Sequence, residues 1–516
     1  ATTYIYTVSL HDALPIWIVS VPLRAGNYSR LSMAKAGEIL FIVSSSDYSQ
    51  PSRLFRYDMK ERKESEVMEV DYYKLSGDRK KMIYAKGATW GISDAGKKPE
   101  PGKGVLGTGV IEIRIDPVSE WAQILDEAWR INRDYFYDPG MHGADWNAMK
   151  QKYAGFLPDV PSRNDLNRLI MWMCSELAVG HHRVGGGDQR FSSERIEGGL
   201  LGADYEISGN RYRFKKIYGG LNWNPGLRSP LTEPGINVKE GEYLLAVNGK
   251  NVTADQNLFS FFEKTAGKIT ELTVGPNADG TGSRMVRVEP VANEFALRNR
   301  DWVEGNLRKV HEATNGRVAY VYVPNTTAQG HEYFKRYFFP QADKDAIIVD
   351  ERFNGGGLIA DYYIDLLTRP YQSHWNMRYG MDLKTPSASI QGPKVMLIDE
   401  TAGSGGDMLP WMFRKFNVGT LVGKATWGGL VGTLGFPELM DGGGVTAPNL
   451  AIWTKDGFIV ENVGVPPDVE VEMWPKEVMQ GRDPQLEKAI EIILDELKKN
   501  PPVKVERPAY PIRVRK

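Results

Sequence analysis

The stretch KVMLIDETAGSGGDMLPWMFRKF, Lys394 to Phe416, decides how the chain is read. Lys394 to Ile398 is a short apolar run with two β-branched residues, the signature of a buried strand. Thr401 to Gly406 is almost all small residues. From Asp407 the pattern turns helical, with Leu409, Met412, Phe413 and Phe416 on one stripe. Ser404 therefore sits on a tight strand-to-helix turn, where small neighbours let the backbone bend and let a carbonyl approach. The N–H of Gly405 lies at a helix start, where partial positive charge collects. That is the geometry a serine nucleophile needs, because negative charge develops on the attacked carbonyl oxygen. The same pattern also suits a Gly-rich turn that holds a phosphate or holds nothing.

The neighbouring segments read as βα units. RVAYVYV (Arg317 to Val323) is a strand, His331 to Phe339 a helix, Ala346 to Asp350 a strand and Leu358 to Leu367 a helix. Such alternation predicts a mostly parallel sheet with its site at the strands' C-terminal ends. Ser404 and the glycines 355 to 357 both fall at such ends, so these glycines are candidates for a second backbone donor beside Gly405. Further on, the hairpin AIWTKDGFIVE turns at Asp456-Gly457 and delivers Glu461. EKAIEIILDELKK, within Asp483 to Lys499, is an amphipathic helix.

With 516 residues the chain is long enough for roughly three to four domains. Lys+Arg 64 balances Asp+Glu 65, which gives no electrostatic case for nucleic acid or anionic membrane. No apolar run approaches the ~20 residues of a membrane span. Cys174 is the only cysteine, so no intrachain disulfide is expected, and a cytoplasmic, reducing setting fits. No HExxH and no Cys/His cluster points to a metal, and no cofactor is expected. The string YTVSLHDALPI near the N-terminus resembles a translated sequencing-adapter read-through. On that reading residues 1–16 are non-native, native sequence starts near Trp17, and any targeting signal is out of view.

Residues 17–115 are strand-rich, with Ile18 to Pro22, Glu38 to Val43, Leu54 to Tyr57, Ser65 to Val70 and Lys81 to Ala85 as β candidates about ten residues apart, a spacing that suits propeller blades or a sandwich. Asp116-Pro117 opens a helix, and Ser162 with Asp165 caps another. That second helix is expected to run to Gly180, where His181 and His182 follow as caps on its carbonyls or as a general base. Gly198 to Val291 is a β-rich unit with an Asn248-Gly249 hairpin turn, and it resembles a PDZ domain. In such domains a Gly-Leu-rich loop binds a peptide's terminal carboxylate, and here Leu200, Leu201 and Gly202 would form it.

A serine nucleophile needs a base, and all seven histidines precede Ser404. The order of the α/β-hydrolases, with histidine last, is therefore excluded. The simplest order left is His, Ser, acid.

The motifs AWRINRDYFYDPGMHGADW, SELAVGHHRVGGGD, GRVAYVYVP, IVDERFNGGG, TAGSGGD, GKATWGG and IVENVGVPPD occur in that order with the PDZ-like unit among them. Together they resemble the C-terminal half of the tricorn-type serine peptidases, relatives of the carboxy-terminal-processing proteases. The resemblance implies part of a β-propeller (17–115), a helical domain (116–197 and 292–315), a PDZ-like domain (198–291), an α/β peptidase domain (316–500) and a tail (501–516). It implies peptide substrates, and large homo-oligomers, hexamers among them. It assigns Ser404 as nucleophile, His181 as base and Glu461 as the acid that orients it. Gly405 with Gly356 or Gly357 would form the oxyanion hole. His182 would then face the helical domain or solvent. Two positions depart from the family pattern. Gly180 stands where the archetype has a serine that bridges histidine and acid. RPYQSHWNMRYG lacks the acid that selects basic side chains, so that preference does not carry over. Two rival readings remain: a catalytically inactive relative that binds peptides through its PDZ unit, and a scaffold built on the propeller.

Overall fold

A computed structural model describes residues 21–45, 51–189, 194–502 and 505–514. The β candidate Ile18 to Pro22 and the adapter-like string fall largely or wholly outside them. The chain divides at Asp116 into two compact units.

The first unit holds two open antiparallel sheets. Asn27–Met33, Glu38–Ser44, Arg53–Asp58 and Lys63–Glu69 form a four-stranded meander. Tyr72–Leu75, Lys81–Lys86 and Thr89–Asp94 form a three-stranded one. Leu40, Leu54, Tyr73 and Met82 are buried between them. The first meander has the strand number of a propeller blade and the second is one strand short of it, and among the described residues no ring closes.

The second unit begins with helices α1 (Pro117–Tyr135), α2 (Trp146–Ala154) and α3 (Arg163–Ser175). Ser162 caps α3 by accepting the Asp165 N–H at 3.2 Å. This helix stops at Ser175, short of Gly180, because Ala178 takes a positive φ of 48° and turns the chain. Ile124, Leu125, Trp129, Leu166, Ile170 and Met173 form its core, which also takes in Leu439, Val445 and Ala447 from far along the chain. Cys174 is buried here, and burial pushes its thiol up to about 12, so it has no nucleophilic role.

A six-stranded antiparallel sheet follows, in the order Arg284–Val288, Thr270–Gly275, Tyr243–Val247, Arg211–Ile217, Ala203–Ser208, with Lys250–Asn251 paired to Tyr243–Val247. Asn248 and Gly249 both have positive φ, 48° and 75°, as the two-residue hairpin turn demands.

α4 (Phe295–Ala313) leads into the last layer. Its sheet runs Val318–Tyr322, Ala346–Asp350, Lys394–Ile398, Thr420–Gly423, Val469–Glu470, all parallel. Its central strands are buried along their length, which is why they read as unbroken apolar runs. The crossovers carry α5 (Ala328–Phe338), α6 (Ala360–Leu367) and α7 (Gly405–Lys415), and α6 packs on α7. After α8 (Pro475–Met479), α9 (Pro484–Lys499) lies across three of the strands. Among the described residues no helix is long and apolar enough to cross a membrane.

Candidate active site

Ser404 is where the strand Lys394–Ile398 hands over to α7. Its φ is 58°, a conformation that a residue with a Cβ adopts only under constraint. The constraint is visible. Its N–H donates to Asp407 Oδ2 at 2.8 Å, and the neighbouring glycines leave no room to relax. A Cβ on Gly356 would lie 2.6 Å from that of Ser404, and one on Gly405 would lie 1.9 Å from Thr326 Oγ1. Side chains at either position would push the turn apart.

Asp407 reads in the sequence as an ordinary residue in the first turn of a helix. In the structure it is 0% exposed and takes four donors. Besides Ser404 these are Thr426 Oγ1 at 2.5 Å, Gly428 N at 2.8 Å and Gly429 N at 3.1 Å. Burial raises its carboxyl above the ordinary range, while those donors favour the charged form. Asp407 thus ties the Ser404 turn to the loop 426–431. Glu461 grips the same loop further on, its Oε2 accepting Leu430 N at 2.7 Å and Val431 N at 2.6 Å. Its Oε1 accepts Gly180 N at 2.7 Å. Glu461 thus accepts three backbone N–H groups, one on Oε1 and two on Oε2.

His181 follows Gly180 on a segment sewn to the peptidase layer. Thr446 Oγ1 donates to the His181 carbonyl at 2.7 Å, and Val184–Gly185 pairs antiparallel with Gly444–Val445. The imidazole stands 5.3 Å from the Trp427 ring, centroid to centroid. Trp427 in turn abuts the Ser404 turn, its backbone N–H donating to the Ala402 carbonyl at 2.9 Å. Burial, then the charge of Arg183, lowers the His181 pKa, against the pull of Glu461 and Asp407. A neutral imidazole results, the form that accepts a proton. Its Nδ1 is buried without a partner.

Gly180 has a steric reason. A Cβ there would meet Gly429 Cα at 2.9 Å, the Trp427 ring at 3.2 Å and Glu461 Oε1 at 3.3 Å. Trp427 and Gly429 fill the space a serine would need. His182 turns the other way. It is 5% exposed, its Nε2 lies 3.0 Å from Asn132 Oδ1, and its ring stacks on Phe136. Neither histidine caps α3. His142 does that work beyond the helix end, its Nδ1 2.9 Å from the Leu177 carbonyl.

Of the expected oxyanion donors, Gly405 and Gly357 have N–H groups that no acceptor among the described residues takes. Gly356 is engaged within the chain: its N–H donates to Asn354 Oδ1 at 2.8 Å, and its carbonyl accepts the Thr326 N–H at 2.8 Å, so it shapes the turn. Beside Ser404 opens a cavity of 260 Å³, walled by Gly357, Leu358, Met408, Met412 and Leu430, with Asp361 at its rim. A larger cavity of 810 Å³ lies by Lys394 and Thr420, at the strands' N-terminal ends, away from this chemistry.

The loop Leu200 to Gly202, the expected carboxylate site, has amides engaged within the chain. Leu200 N donates to the Val291 carbonyl at 2.8 Å, and Gly202 N to Glu294 Oε2 at 2.9 Å. Two of the three amides are spent inside the chain, one of them on a carboxylate. Leu201 is buried in the PDZ-like core.

Residues 117–175 match the tricorn protease C1 domain, 199–293 the tricorn protease PDZ domain and 317–471 peptidase family S41. The tricorn protease of Thermoplasma acidophilum is 32% identical over 447 residues, which are 86% of this chain and 41% of that protein. Tricorn protease homolog 1 of Streptomyces coelicolor is 32% identical over 505 residues, 94% of this chain and 47% of that protein. A crystal structure of the tricorn protease superposes with a TM-score of 0.84 at 29% identity, covering 93% of this chain and 48% of the other. The chain spans less than half the length of these relatives.

Proposed function

The chain belongs to the tricorn protease family, and on that premise we propose that it hydrolyses peptide bonds, with Ser404 as nucleophile and His181 as general base. The observation that carries the reading is the Ser404 turn, held at φ 58° beside the unclaimed N–H groups of Gly405 and Gly357.

In this scheme neutral His181 takes the Ser404 proton as its oxygen attacks the substrate carbonyl. The oxyanion that forms is received by Gly405 and Gly357. His181 then returns the proton to the leaving amine, and water repeats the attack on the acyl-enzyme. Glu461 acts through the backbone, holding Gly180 and the loop 430–431 in register with the histidine. The apolar cavity walls support short peptides with an apolar side chain beside the scissile bond.

The working state in this proposal is a homo-oligomer. Exposed Trp375, Tyr379 and Met381 on one hairpin support it, since such clusters mark protein contacts. Residues 21–115 would supply the end of a propeller, and the cytoplasm suits a chain with one cysteine. Binding of peptide termini by the PDZ-like unit finds no support, because Glu294 already takes the Gly202 amide.

The test is reaction with a serine-directed phosphonate, located by mass spectrometry, beside cleavage of a peptide library. Label at Ser404 and loss of turnover on the order of 10⁴-fold in Ser404→Ala are expected. Label elsewhere, or residual turnover within about tenfold of the parent, sinks the assignment.

A further inference from the structure

Beneath the turn 354–357 sits a carboxyl that the catalytic scheme leaves unused. Glu351 follows the strand Ala346–Asp350 and is 0% exposed. Its Oε2 accepts one hydrogen bond, from Asn354 Nδ2 at 3.2 Å. Its Oε1 is buried with no partner.

The acids around it are supplied very differently. Asp399, at the end of the next strand, accepts the N–H groups of Phe353, Thr401 and Ala402 and the Thr401 hydroxyl. Asp407 on α7 has its four donors. Asp350 holds the Arg352 guanidinium and the Tyr320 hydroxyl, and the rest of Arg352 goes to Asp483 and Gln485 at the start of α9. Tyr322 faces Asp350 and Asp399 from the first strand. The cation and the donors in this layer are thus committed to the other acids. Glu351 faces three carboxylates with a single amide for company. Burial first, and then the charges of Asp399, Asp407 and Asp350, hold its carboxyl well above the ordinary range. The form that burial without donors selects is the neutral acid.

Its one bond is to a residue that shapes the site. Asn354 Oδ1 accepts the Gly356 N–H at 2.8 Å, and the Asn354 carbonyl accepts the N–H of Gly403, next to Ser404, at 3.1 Å. Glu351 fixes which way that side-chain amide points. With the amide free to rotate, Gly356 loses its acceptor and the peptide presenting Gly357 is released.

We propose that Glu351 is a positioning residue of the oxyanion turn, a neutral carboxylic acid that orients the Asn354 amide and through it aims the Gly357 N–H at the substrate's carbonyl oxygen. The catalytic half of this statement rests on the serine-peptidase reading; the protonated carboxyl does not.

Glu351→Gln and Glu351→Ala in the full chain test both halves. Infrared difference spectra of parent minus Glu351→Gln at neutral pH should show the carbonyl band of a buried protonated carboxyl. Glu351→Ala should lower kcat about tenfold to a hundredfold with KM changed less than about threefold, as expected for a misaimed oxyanion donor. Glu351→Gln, whose amide is neutral at every pH, should recover most of that loss. Absence of the band overturns the neutral acid whether or not the protein is active. A Glu351→Gln variant as slow as Glu351→Ala overturns the positioning role. A parent that shows the band but neither cleaves peptides nor labels at Ser404 overturns the peptidase reading, and the catalytic half with it.

Discussion

The backbone N–H of Gly180 donates to Glu461 Oε1 at 2.7 Å, so the glutamate holds the residue before the histidine and not the imidazole itself. Space and hydrogen bonding at Gly180 are both committed, and the first two predictions come from that pairing.

Gly180→Ser should not raise peptide cleavage, although the resemblance sets a serine of the archetype at this position. The added Cβ meets Gly429 Cα at 2.9 Å, a backbone atom that cannot swing aside. Overpacking of this kind costs about 1–3 kcal/mol. A lower melting temperature and reduced kcat are expected in thermal unfolding and peptide-cleavage assays. A variant as stable as the parent and faster would mean that the loop 426–431 adapts.

Glu461→Gln should lower kcat by about tenfold to a hundredfold while affinity for a peptide inhibitor stays near the parent value. Both carboxylate oxygens accept N–H groups, and an amide presents a donor in place of one acceptor, leaving at least one of Gly180, Leu430 or Val431 unpaired. Steady-state kinetics with an inhibitor titration decide it. Unchanged turnover would reduce Glu461 to a loop brace without catalytic effect.

The two histidines separate by pH. His181 must be neutral to accept a proton, and its pKa lies below the reference 6.5, so the acid limb of kcat/KM should fall below pH 6.5. His182 contributes to stability instead. Burial lowers its pKa to about 4, so between pH 6.5 and 4 the unfolded chain binds a proton that the folded chain does not. Stability contributed by neutral His182 is present above 6.5 and lost as pH falls toward 4, by about 3 kcal/mol in all. His182→Asn should flatten denaturant-derived stability across that window and keep an acid limb in catalysis. His181→Ala should lose turnover about as fully as Ser404→Ala, with little further loss in the double variant. Loss of turnover in the His182 variant alone would move the base by one residue.

Peptides with a free C-terminal carboxylate should bind the Ser404→Ala protein no better than the same peptides amidated, because Leu200 and Gly202 spend their amides on Val291 and Glu294. Fluorescence anisotropy with labelled peptides measures this. A preference above about tenfold for the free acid, some 1.4 kcal/mol, would show that the loop opens to ligand.

Much of this was legible because it is local. The strands Ala346–Asp350 and Lys394–Ile398 are buried on both faces, and unbroken apolar runs announce that burial. The Ser404 turn was legible because small residues between an apolar run and a helical stripe mark a strand-to-helix turn, whereas the role proposed for Ser404 came from the family resemblance, since such a turn also suits a phosphate or nothing. Asp407 was not, since an aspartate in a first helical turn already has a reason to be there, and its work depends on Gly428 and Gly429 arriving from twenty residues away. Glu351 was hidden in the same way, inside a run read only for its glycines. Gly356 could not be told from Gly357, because which amide an asparagine side chain claims is settled by the fold of the turn. The N-terminal strands Asn27–Met33 and Thr89–Asp94 were missed, being mostly exposed and without strong alternation.

Arg352 is buried between Asp350 and Asp483, with guanidinium contacts of 2.7 and 2.9 Å, and it lies two residues before Asn354. The catalytic turn therefore stands on a charge whose second counter-ion belongs to the start of α9. Synthesis runs from the N-terminus, and domains tend to fold as they emerge. A nascent chain that has made Ser404 but not Asp483 and Gln485 keeps Arg352 paired with Asp350 but leaves its Nη1 without an acceptor beneath the turn 354–357, a state that burial disfavours. On the proposed peptidase reading, a competent Ser404 turn is therefore expected only after translation has passed α9. Chains stalled before Asp483 should be inert to the serine-directed phosphonate, and chains stalled well beyond Lys499 should react.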